Sequence, residues 1–493
     1  TTFGRVDIAS WVGGHISVEL YSMRLKKTAS DVLFSGAIRV AIRLRGLVFI
    51  PLITLSLGVE TFGAYAQILA ITNLLELIFG LGLYTSLVRY GRRSVDTANL
   101  YYSLAVVALL SALSVTVAVA VFSTQLSMLT LGDVKYASAF QIGSLLILTR
   151  TIFRIAQNYF RIDSRIKVFS VVEGIRAYGL ITVVAISVYL LGAGLDGLFA
   201  SMVLLETVVI GILQFQIVRE IGIVVPSFPE LKAHLKYSIP VAASSLADNV
   251  SSRVDRIMIG FFLGASAVGI YSIAYQIAIA ISMYVNPIRQ TFFPEFSRFI
   301  DEGDLAKCAG YLRTGVRYFL IIAIPTVGGM YLIGPDVISI LTAGQGIPPP
   351  NLIGVIALGI TVKGVDLLYG TILNALEETV LRAKIVGVGA IANVLINAIA
   401  IPRFGIIGAA VATVLTYVLI SGLTINRVGS TLPMNLPWLT IPRTVGGTLA
   451  MIVVAETVLP DRLIVVVVVS ALLYFGVLFG TRELTLHEVQ ARF

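Results

Sequence analysis

Long apolar stretches recur along the chain, separated by short polar or glycine-rich connections. A helix that crosses a bilayer needs about 20 mostly apolar residues, and fourteen stretches of this kind are present. We therefore predict an all-α integral membrane protein with fourteen transmembrane helices. The segments lie near residues 33–57, 62–87, 98–122, 137–160, 167–191, 194–217, 236–262, 266–294, 311–333, 350–374, 380–401, 405–425, 441–459 and 462–480.

The composition fits a membrane protein and excludes a water-soluble one. Hydrophobic residues make up 57% of the chain, charged residues only 13%, and the mean hydropathy is +0.93, whereas a soluble domain carries about 25% charged residues. One cysteine, Cys308, and three scattered histidines give neither a disulfide nor a metal-binding pattern. The sequence contains no G-x-x-x-x-G-K-[ST] motif, so we expect no cofactor and no ATP hydrolysis by this chain.

Basic residues outside the segments predict the orientation. Cytoplasmic loops of membrane proteins carry an excess of Lys and Arg, and most such residues here fall in alternate connections, beginning with the N-terminal tail. Only Lys135, Arg403 and Arg462 fall on the opposite side. Both termini are therefore expected in the cytoplasm, in a multi-pass protein of the cytoplasmic membrane. This asymmetry accounts for the net charge of +9, and we expect no nucleic-acid partner.

The connections are too short for a folded domain outside the membrane, which argues against an enzyme with a globular catalytic head. The first thirty residues lack the pattern of a cleavable signal peptide. Met23, which is followed closely by Arg24, Lys26 and Lys27, resembles a natural start. Residues 1–22 are therefore either native or an over-extended start, and both interpretations stay open.

Two glycine motifs recur at nearly the same spacing. LGVETFGAY (57–65) returns as LGASAVGIY (263–271), 206 positions later, and GLDGLFAS (194–201) returns as GIIGAAVA (405–412), 211 positions later. Chance similarity of glycine-rich turns is the alternative to a true repeat. We predict two six-helix lobes related by a parallel repeat, plus two C-terminal helices. The predicted parts are a cytoplasmic tail (1–32), an N-lobe (33–217), a cytoplasmic linker (218–235), a C-lobe (236–425) and a C-terminal helix pair with its tail (426–493).

Ionised side chains lie inside several predicted segments. Burying one at the middle of a membrane costs at least ~2.5–3.5 kcal/mol, so each is expected to face a water-filled cavity or a partner. Arg39 and Arg43 lie four positions apart, as do Arg150 and Arg154, so each pair occupies one helix face. With Lys363 of the tenth segment, these arginines are predicted to surround a central cavity and bind substrate.

The seventh segment is the most polar of the fourteen and is expected to line an aqueous space, because lipid cannot satisfy its polar stripes. Its Arg253 and Arg256 are predicted substrate-binding residues nearer the outer mouth, with snorkelling to the headgroups as the alternative. Glu173 and Arg176 are predicted to form an ion pair. Acidic candidates for Na⁺ or H⁺ coupling, or for charge balance, are Glu76, Asp248, Asp255 and Asp366.

A cavity lined by cations selects anions. Guanidinium groups bind phosphate through two hydrogen bonds at once and keep their charge. The expected substrate feature is therefore a phosphate or diphosphate group, whereas a pump for cationic drugs would need a cavity of the opposite charge.

Two regions of the chain resemble polysaccharide exporters, the family of lipid-linked oligosaccharide flippases. Residues 51–65 (PLITLSLGVETFGAY) and 81–93 (LGLYTSLVRYGRR) resemble the first hairpin of that family, and residues 238–278 and 286–304 resemble the start of its second half. The family is similar to peptidoglycan lipid-precursor flippases and to the MATE-type multidrug extruders. The resemblance covers essentially the whole chain and implies a V-shaped bundle of two lobes that opens alternately to each side.

We therefore expect a flippase, not an enzyme, that moves a polyprenyl phosphate- or diphosphate-linked oligosaccharide from the cytoplasmic to the outer leaflet. Its expected partners are membrane lipid, the lipid-linked glycan and glycan-assembly proteins. The alternatives are a MATE-type ion-coupled multidrug antiporter and a peptidoglycan lipid-precursor flippase. A membrane glycan polymerase would need a larger outer loop with catalytic basic residues, and the outer connections carry few.

Overall fold

The computed structural model describes residues 46–93, 96–162, 165–433, 437–458, 463–481 and 483. In this part of the chain all regular secondary structure is helical. Nine of the described helices are long and apolar enough to cross a membrane. Large apolar side chains such as Leu110, Leu204 and Leu395 are exposed on these helices, as expected for surfaces that contact lipid. The protein is therefore a multi-pass helical membrane protein.

The first half of the chain (46–221) forms seven helices. A π-helical turn, Ile186–Leu190, extends the sixth. Their bounds are α1 Gly46–Phe79, α2 Leu83–Tyr90, α3 Thr97–Val121, α4 Ser123–Leu131, α5 Ala137–Ile162, α6 Ile166–Ala185 and α7 Gly194–Ile221.

The second half (231–429) forms six helices, and two more follow it. The bounds in the second half are α8 Leu231–Leu263, α9 Ala265–Ala278, α10 Ser282–Asp301, α11 Leu305–Thr342, α12 Leu352–Ala375 and α13 Thr379–Gly429. The C-terminal pair consists of α14 Thr440–Val458 and α15 Leu463–Gly480.

Glycines with positive φ replace loops at four reversals of the chain. Gly58 lies inside α1 with φ 85°, and Gly264 separates α8 from α9 with φ 80°. Gly194 begins α7 with φ 58°, and Gly405 lies inside α13 with φ 60°. Glycine adopts this left-handed region without steric cost. Consequently α1 holds parts of the first two predicted segments and α13 holds the eleventh and twelfth, so that the count of fourteen stays a prediction.

Three of the longer connections between the predicted segments, 123–136, 295–310 and 334–349, are largely helical. Residues 123–136 contain α4, α10 continues to Asp301, and α11 continues to Thr342. At about 1.5 Å per residue, the 38 residues of α11 span about 57 Å, well beyond the roughly 30 Å of a hydrocarbon core. The helix therefore extends into the polar interface, where an apolar pattern no longer marks it.

The two halves match at the predicted repeat positions. Gly58 and Gly264 have nearly equal φ and are separated by 206 positions. The same offset relates the residues that contact each other beside them, Val59 to Ala265 and Gly63 to Gly269. The helix α4 ends in a left-handed cap at Gly132, and α11 ends in a left-handed cap at Ala343, 211 positions later. Gly194 and Gly405 also have nearly equal φ, 58° and 60°, so three local geometries recur with the two sequence offsets, which chance similarity of glycine-rich turns does not explain.

Buried apolar side chains join the two halves. The largest cluster extends from α1 through α8 and α9 to α12, and a second fills the space between α2, α3, α5 and α7. The C-terminal pair is attached separately: the Glu483 carboxylate, which follows α15, accepts hydrogen bonds from Arg317 of α11 (2.9 Å) and from Thr440 and Arg443 of α14 (2.6 and 2.8 Å). Together with the Tyr474 hydroxyl of α15, which donates to the Ile321 carbonyl of α11 at 2.7 Å, this buried carboxylate attaches α14 and α15 to the second half.

An extended linker, residues 222–230, connects α7 to α8 and lies at the end of the bundle opposite Gly58 and Gly264. Asn99 at the start of α3 bonds both backbone groups of Ser227, at 3.3 and 2.7 Å. The Tyr102 hydroxyl donates to the carbonyl of Gly222 at 2.7 Å. The linker predicted at 218–235 is therefore shorter than expected and is held against the first half.

Candidate functional site

The first half contains a buried cluster of three arginines and three glutamates. Glu206 of α7 is its centre: its carboxylate accepts from Arg150 of α5 at 3.2 Å, from Arg176 of α6 at 3.0 Å and from the Thr149 hydroxyl at 2.9 Å. Its side chain is 2% exposed. A carboxylate this deeply buried requires such partners, because desolvation of an unpaired charge is costly.

The remaining members complete the cluster on α1 and α6. Arg154 pairs with Glu76 at 2.5 Å, and Arg176 also approaches Glu173 at 3.9 Å, which confirms the predicted contact within α6. The Arg150 Nη1 donates to the Asn73 amide oxygen at 2.6 Å. Three positive and three negative charges balance here, so this cluster presents no net charge to a substrate.

Arg154 differs from its neighbours in accessibility. Its side chain is 41% exposed although its partner Glu76 is 2% exposed. It borders a narrow cleft that is also lined by Tyr84, Thr151 and Gly80. The guanidinium is therefore both paired and reachable from the cleft.

In the second half, three cations form no ion pair with a carboxylate that the structure describes, although Asp255 interacts electrostatically with Arg256 and Lys363. Lys363 of α12 donates to the Ser252 hydroxyl at 2.9 Å and to the Tyr417 hydroxyl at 3.3 Å. Arg256 lies over the ring of Tyr275, 4.4 Å from its centroid, and its buried Nε has no hydrogen-bond partner among the described residues.

Arg253, one helical turn before Arg256 on α8, is half-buried and has neither a hydrogen bond nor an ion pair with any residue that the structure describes. It interacts electrostatically with Arg256 and, across the boundary between the halves, with Arg150 and Glu76. Tyrosine faces and hydroxyls stabilise cations without cancelling their charge. Arg253, Arg256 and Lys363, which we call the cation trio, therefore keep their charge available to an anion.

Two members of the trio lie at the same distance from one end of the bundle. Arg253 is ten residues from the end of α8 and Lys363 eleven residues from the start of α12, which places both about 15–16 Å from the Gly264 end of the bundle. Half of a roughly 30 Å hydrocarbon core has the same depth. Snorkelling to the headgroups stays the alternative interpretation of Arg253 and Arg256.

Three acidic candidates have protein partners: Glu76, which pairs with Arg154, and two residues of the second half. Asp366 of α12 is bound by both terminal nitrogens of Arg382 at 2.7 and 2.6 Å and accepts from Thr424 at 2.8 Å. The two oxygens of Asp255 accept from the backbone N–H of Arg256 at 2.8 Å and from the Tyr271 hydroxyl at 2.6 Å. Of the two roles left open for Asp366, this geometry fits charge balance.

Three candidates cannot be placed. Arg39 and Arg43 lie outside the described residues, as does the side chain of Asp248 in α8. Their predicted roles therefore stay predictions. Sequence reasoning missed Arg382, Tyr275 and Tyr417. Arg382 was counted among the basic residues of a cytoplasmic connection. A run of polar residues on α8 was the signal that led to Arg253 and Arg256.

Comparison with known proteins identifies the family. The model of the polysaccharide biosynthesis protein family matches residues 29–300, which is more than half of the chain. The chain belongs to this family. The resemblance to polysaccharide exporters stated from the sequence is thereby confirmed.

Relatives match along parts of the chain. The probable flippase AglR of Haloferax volcanii is 28% identical over 56% of this chain and 57% of its own length. The probable low-salt glycan biosynthesis flippase Agl15 of the same organism is 25% identical over 39% of this chain and 41% of its own. The succinoglycan biosynthesis transport protein ExoT of Rhizobium meliloti is 26% identical over 63% and 62%. The chain thus spans about half the length of these relatives.

Solved structures share the fold. The lipid II flippase MurJ in an inward closed conformation aligns with 92% of this chain and 99% of its own at a TM-score of 0.78 and 14% identity. An inward-facing multidrug resistance MATE family transporter of the MOP superfamily aligns with 80% and 98% at 0.64 and 15%. At this identity the likeness concerns the fold alone.

Proposed function

We propose that this protein is a flippase that moves a polyprenyl phosphate- or diphosphate-linked oligosaccharide across the membrane by alternating access. The observation that carries the proposal is the cation trio: three positive side chains, which we place near the membrane centre, that form no ion pair with a described residue. Uncompensated charge at this depth is costly, and an anionic headgroup would remove that cost. The names of AglR, Agl15 and ExoT agree with glycan transport.

The architecture that we propose for this function has fourteen transmembrane helices: six in each of two lobes and two appended. Both termini would lie in the cytoplasm, in the cytoplasmic membrane, as the basic residues of the connections indicate. In that orientation the Gly58 and Gly264 turns face outward and the 222–230 linker faces the cytoplasm. The charged head and the sugars would pass between the lobes while the lipid tail stays in the bilayer.

Flipping by the purified protein in proteoliposomes is the direct test. A fluorescently labelled polyprenyl-diphosphate oligosaccharide is reconstituted with the protein, and its exposure on each leaflet is followed by a membrane-impermeant quencher. Replacing the trio by Gln keeps the side chains polar but removes three charges. We expect the flipping rate to fall at least about tenfold, which corresponds to about 1.4 kcal/mol.

The matched control removes three exposed positive charges instead, at Lys232, Arg313 and Arg403. It should flip at the wild-type rate, because exposed charges are screened by water and salt. Equal rates for the trio variant and the wild type, with both proteins monodisperse, would remove the trio from substrate binding. Absence of flipping by the wild type with every phosphate-linked lipid tried would contradict the function itself.

The alternatives differ in ligand charge. A multidrug antiporter would export cationic dyes, which a positively charged site repels. A peptidoglycan lipid precursor carries the same diphosphate and differs only in its head group. The flipping assay therefore includes such a precursor as a second substrate. For Na⁺ or H⁺ coupling, Asp248 remains the candidate, because Glu76, Asp255 and Asp366 are bound by neighbouring groups. Glycan-assembly proteins are the expected partners.

A further inference from the structure

The two halves touch through their backbones at the end of the bundle where Gly58 and Gly264 turn. A β-carbon added to Gly63 would lie 1.8 Å from the carbonyl oxygen of Ala265 and 2.7 Å from the amide nitrogen of Gly269. A β-carbon added to Gly269 would lie 2.3 Å from the carbonyl oxygen of Val59. We call residues 59–63 and 265–269 the glycine interface.

The glycine interface is reciprocal. Adding 206 to Val59 and Gly63 gives Ala265 and Gly269, so Gly63 contacts the counterpart of Val59, and Gly269 contacts Val59 itself. When a contact between two residues is repeated by their counterparts with the roles exchanged, the two halves are related by a twofold axis. The axis between the halves therefore passes through this interface.

A second reciprocal pair surrounds it. The Thr54 hydroxyl in α1 donates to the carbonyl oxygen of Leu341 in α11 at 2.9 Å. On the other side, a β-carbon at Gly260 of α8 would lie 2.5 Å from the carbonyl oxygen of Thr130 in α4. Positions 54 and 260 differ by 206, and 130 and 341 by 211. Each first helix thus packs against the third-helix end of the other half.

The opposite end of the bundle is joined differently. There the halves meet mainly through side chains: Ser86 of α2 shares a hydrogen bond with His234 of α8 at 2.8 Å, and the Arg89 guanidinium lies 4.2 Å from the ring centroid of Tyr237. A β-carbon at Gly82 would lie 3.0 Å from the Ser238 carbonyl oxygen, a looser backbone approach than at the glycine interface. Side chains can rotate away, whereas backbones in direct contact must move as whole helices. The two ends therefore differ in what opening them requires.

We propose that the glycine interface is the gate that closes the central site at this end, and that Gly63 and Gly269 keep it closed because they alone allow this approach. The proposal rests on the proposed alternating access. An ordinary contact of a β-carbon begins at about 3.4 Å, so alanine at either glycine forces the helices apart. Alanine at either position therefore shifts the protein toward the state that is open at this end.

Distances between spin labels test the gate directly. Thr61 and Ala267 lie between the contact residues and correspond by the 206 offset. The parent protein for this experiment carries Thr61→Cys and Ala267→Cys, and both positions are labelled. The wild-type chain, whose single cysteine Cys308 is buried, serves as the labelling control. We expect one short distance in the parent and a longer population comprising more than half of the molecules with Gly63→Ala or Gly269→Ala.

The matched control is Gly387→Ala, because no atom outside its own helix lies within 4 Å of an added β-carbon there; it should keep the short distance. Folded Gly63→Ala and Gly269→Ala proteins with the parent distance would overturn the proposal. If these variants do not fold, the parent protein tests the gate without a glycine change. A disulfide cross-link is formed between the two cysteines introduced at positions 61 and 267.

The cross-link should stop flipping, and reduction should restore it. Unimpaired flipping by the cross-linked protein would overturn the gate. Absence of flipping before cross-linking would contradict the proposed function instead, and the distance measurement, which requires no substrate, would still decide the role of the glycine interface.

Discussion

Glu206→Gln tests whether charge balance in the first half stabilises the fold. The substitution keeps the size of the side chain but leaves Arg150 and Arg176, at 3.2 and 3.0 Å, facing a neutral amide whose NH₂ group repels them. Removing one partner of a buried ion pair costs about 3–5 kcal/mol. We expect a loss of this size in the free energy of unfolding, measured by denaturant titration in mixed micelles, and a fall of several degrees in melting temperature.

Restoring the balance should recover part of the loss. Arg176→Met in the Glu206→Gln background removes the surplus positive charge, and a double-mutant cycle should give a coupling of about 1–3 kcal/mol. Glu302→Gln is the matched control, because Glu302 is 56% exposed and lies 3.8 Å from Arg298; its cost should stay below about 1 kcal/mol. Unchanged stability of Glu206→Gln, or a double variant less stable than the single one, would refute the reasoning.

Three further predictions concern ion pairs elsewhere. Arg382→Met should cost about 3–5 kcal/mol of unfolding free energy, because Asp366 is left buried with its charge unpaired, and Asp366→Asn in that background should recover stability; an additive double variant would contradict this. Glu483→Gln should loosen α14 and α15, visible as faster amide exchange there with the rest of the chain unchanged; uniform protection would argue against the attachment. Arg427 bonds to Glu378 and lowers the pKa of that carboxyl below 4.5, so the pair stabilises the protein above pH ~4.5 and the contribution is lost as the pH falls through the lowered pKa; the acid-side slope of the melting temperature should shrink in Glu378→Gln.

Much of the fold could be predicted from the sequence because lipid imposes a simple rule on composition. Apolar stretches located the helices, and the spacing of the glycine motifs located the reversals at Gly58 and Gly264. Helix ends were missed where a helix leaves the hydrocarbon, as in α11, since polar residues form helices equally well there. The number of spanning helices could not be settled from described helices alone, because α1 and α13 each continue through a glycine turn.

The site was predictable in its residues but not in its pairings. Position on a helix face singled out Arg150, Arg154 and Arg253 as side chains that need a polar environment. Which acid neutralises which arginine depends on how helices pack, and Glu206 lies 56 positions from Arg150. The sequence therefore predicted a ring of cations in both halves, whereas Arg150 and Arg154 of the first half are paired with glutamates and the surplus positive charge is found in the second half.

The linker has a mechanical consequence. Asn99 and Tyr102 of α3 bond to Ser227 and Gly222 of the linker. Most of the linker therefore moves with the first half as one rigid body. Bending is left to the few residues from 228 to the start of α8 and to Pro240 inside that helix, where the missing N–H weakens the ladder. Extra residues inserted among positions 223–226 would therefore bulge outward without loosening the hinge, while a single stiff residue just before α8 would restrain it.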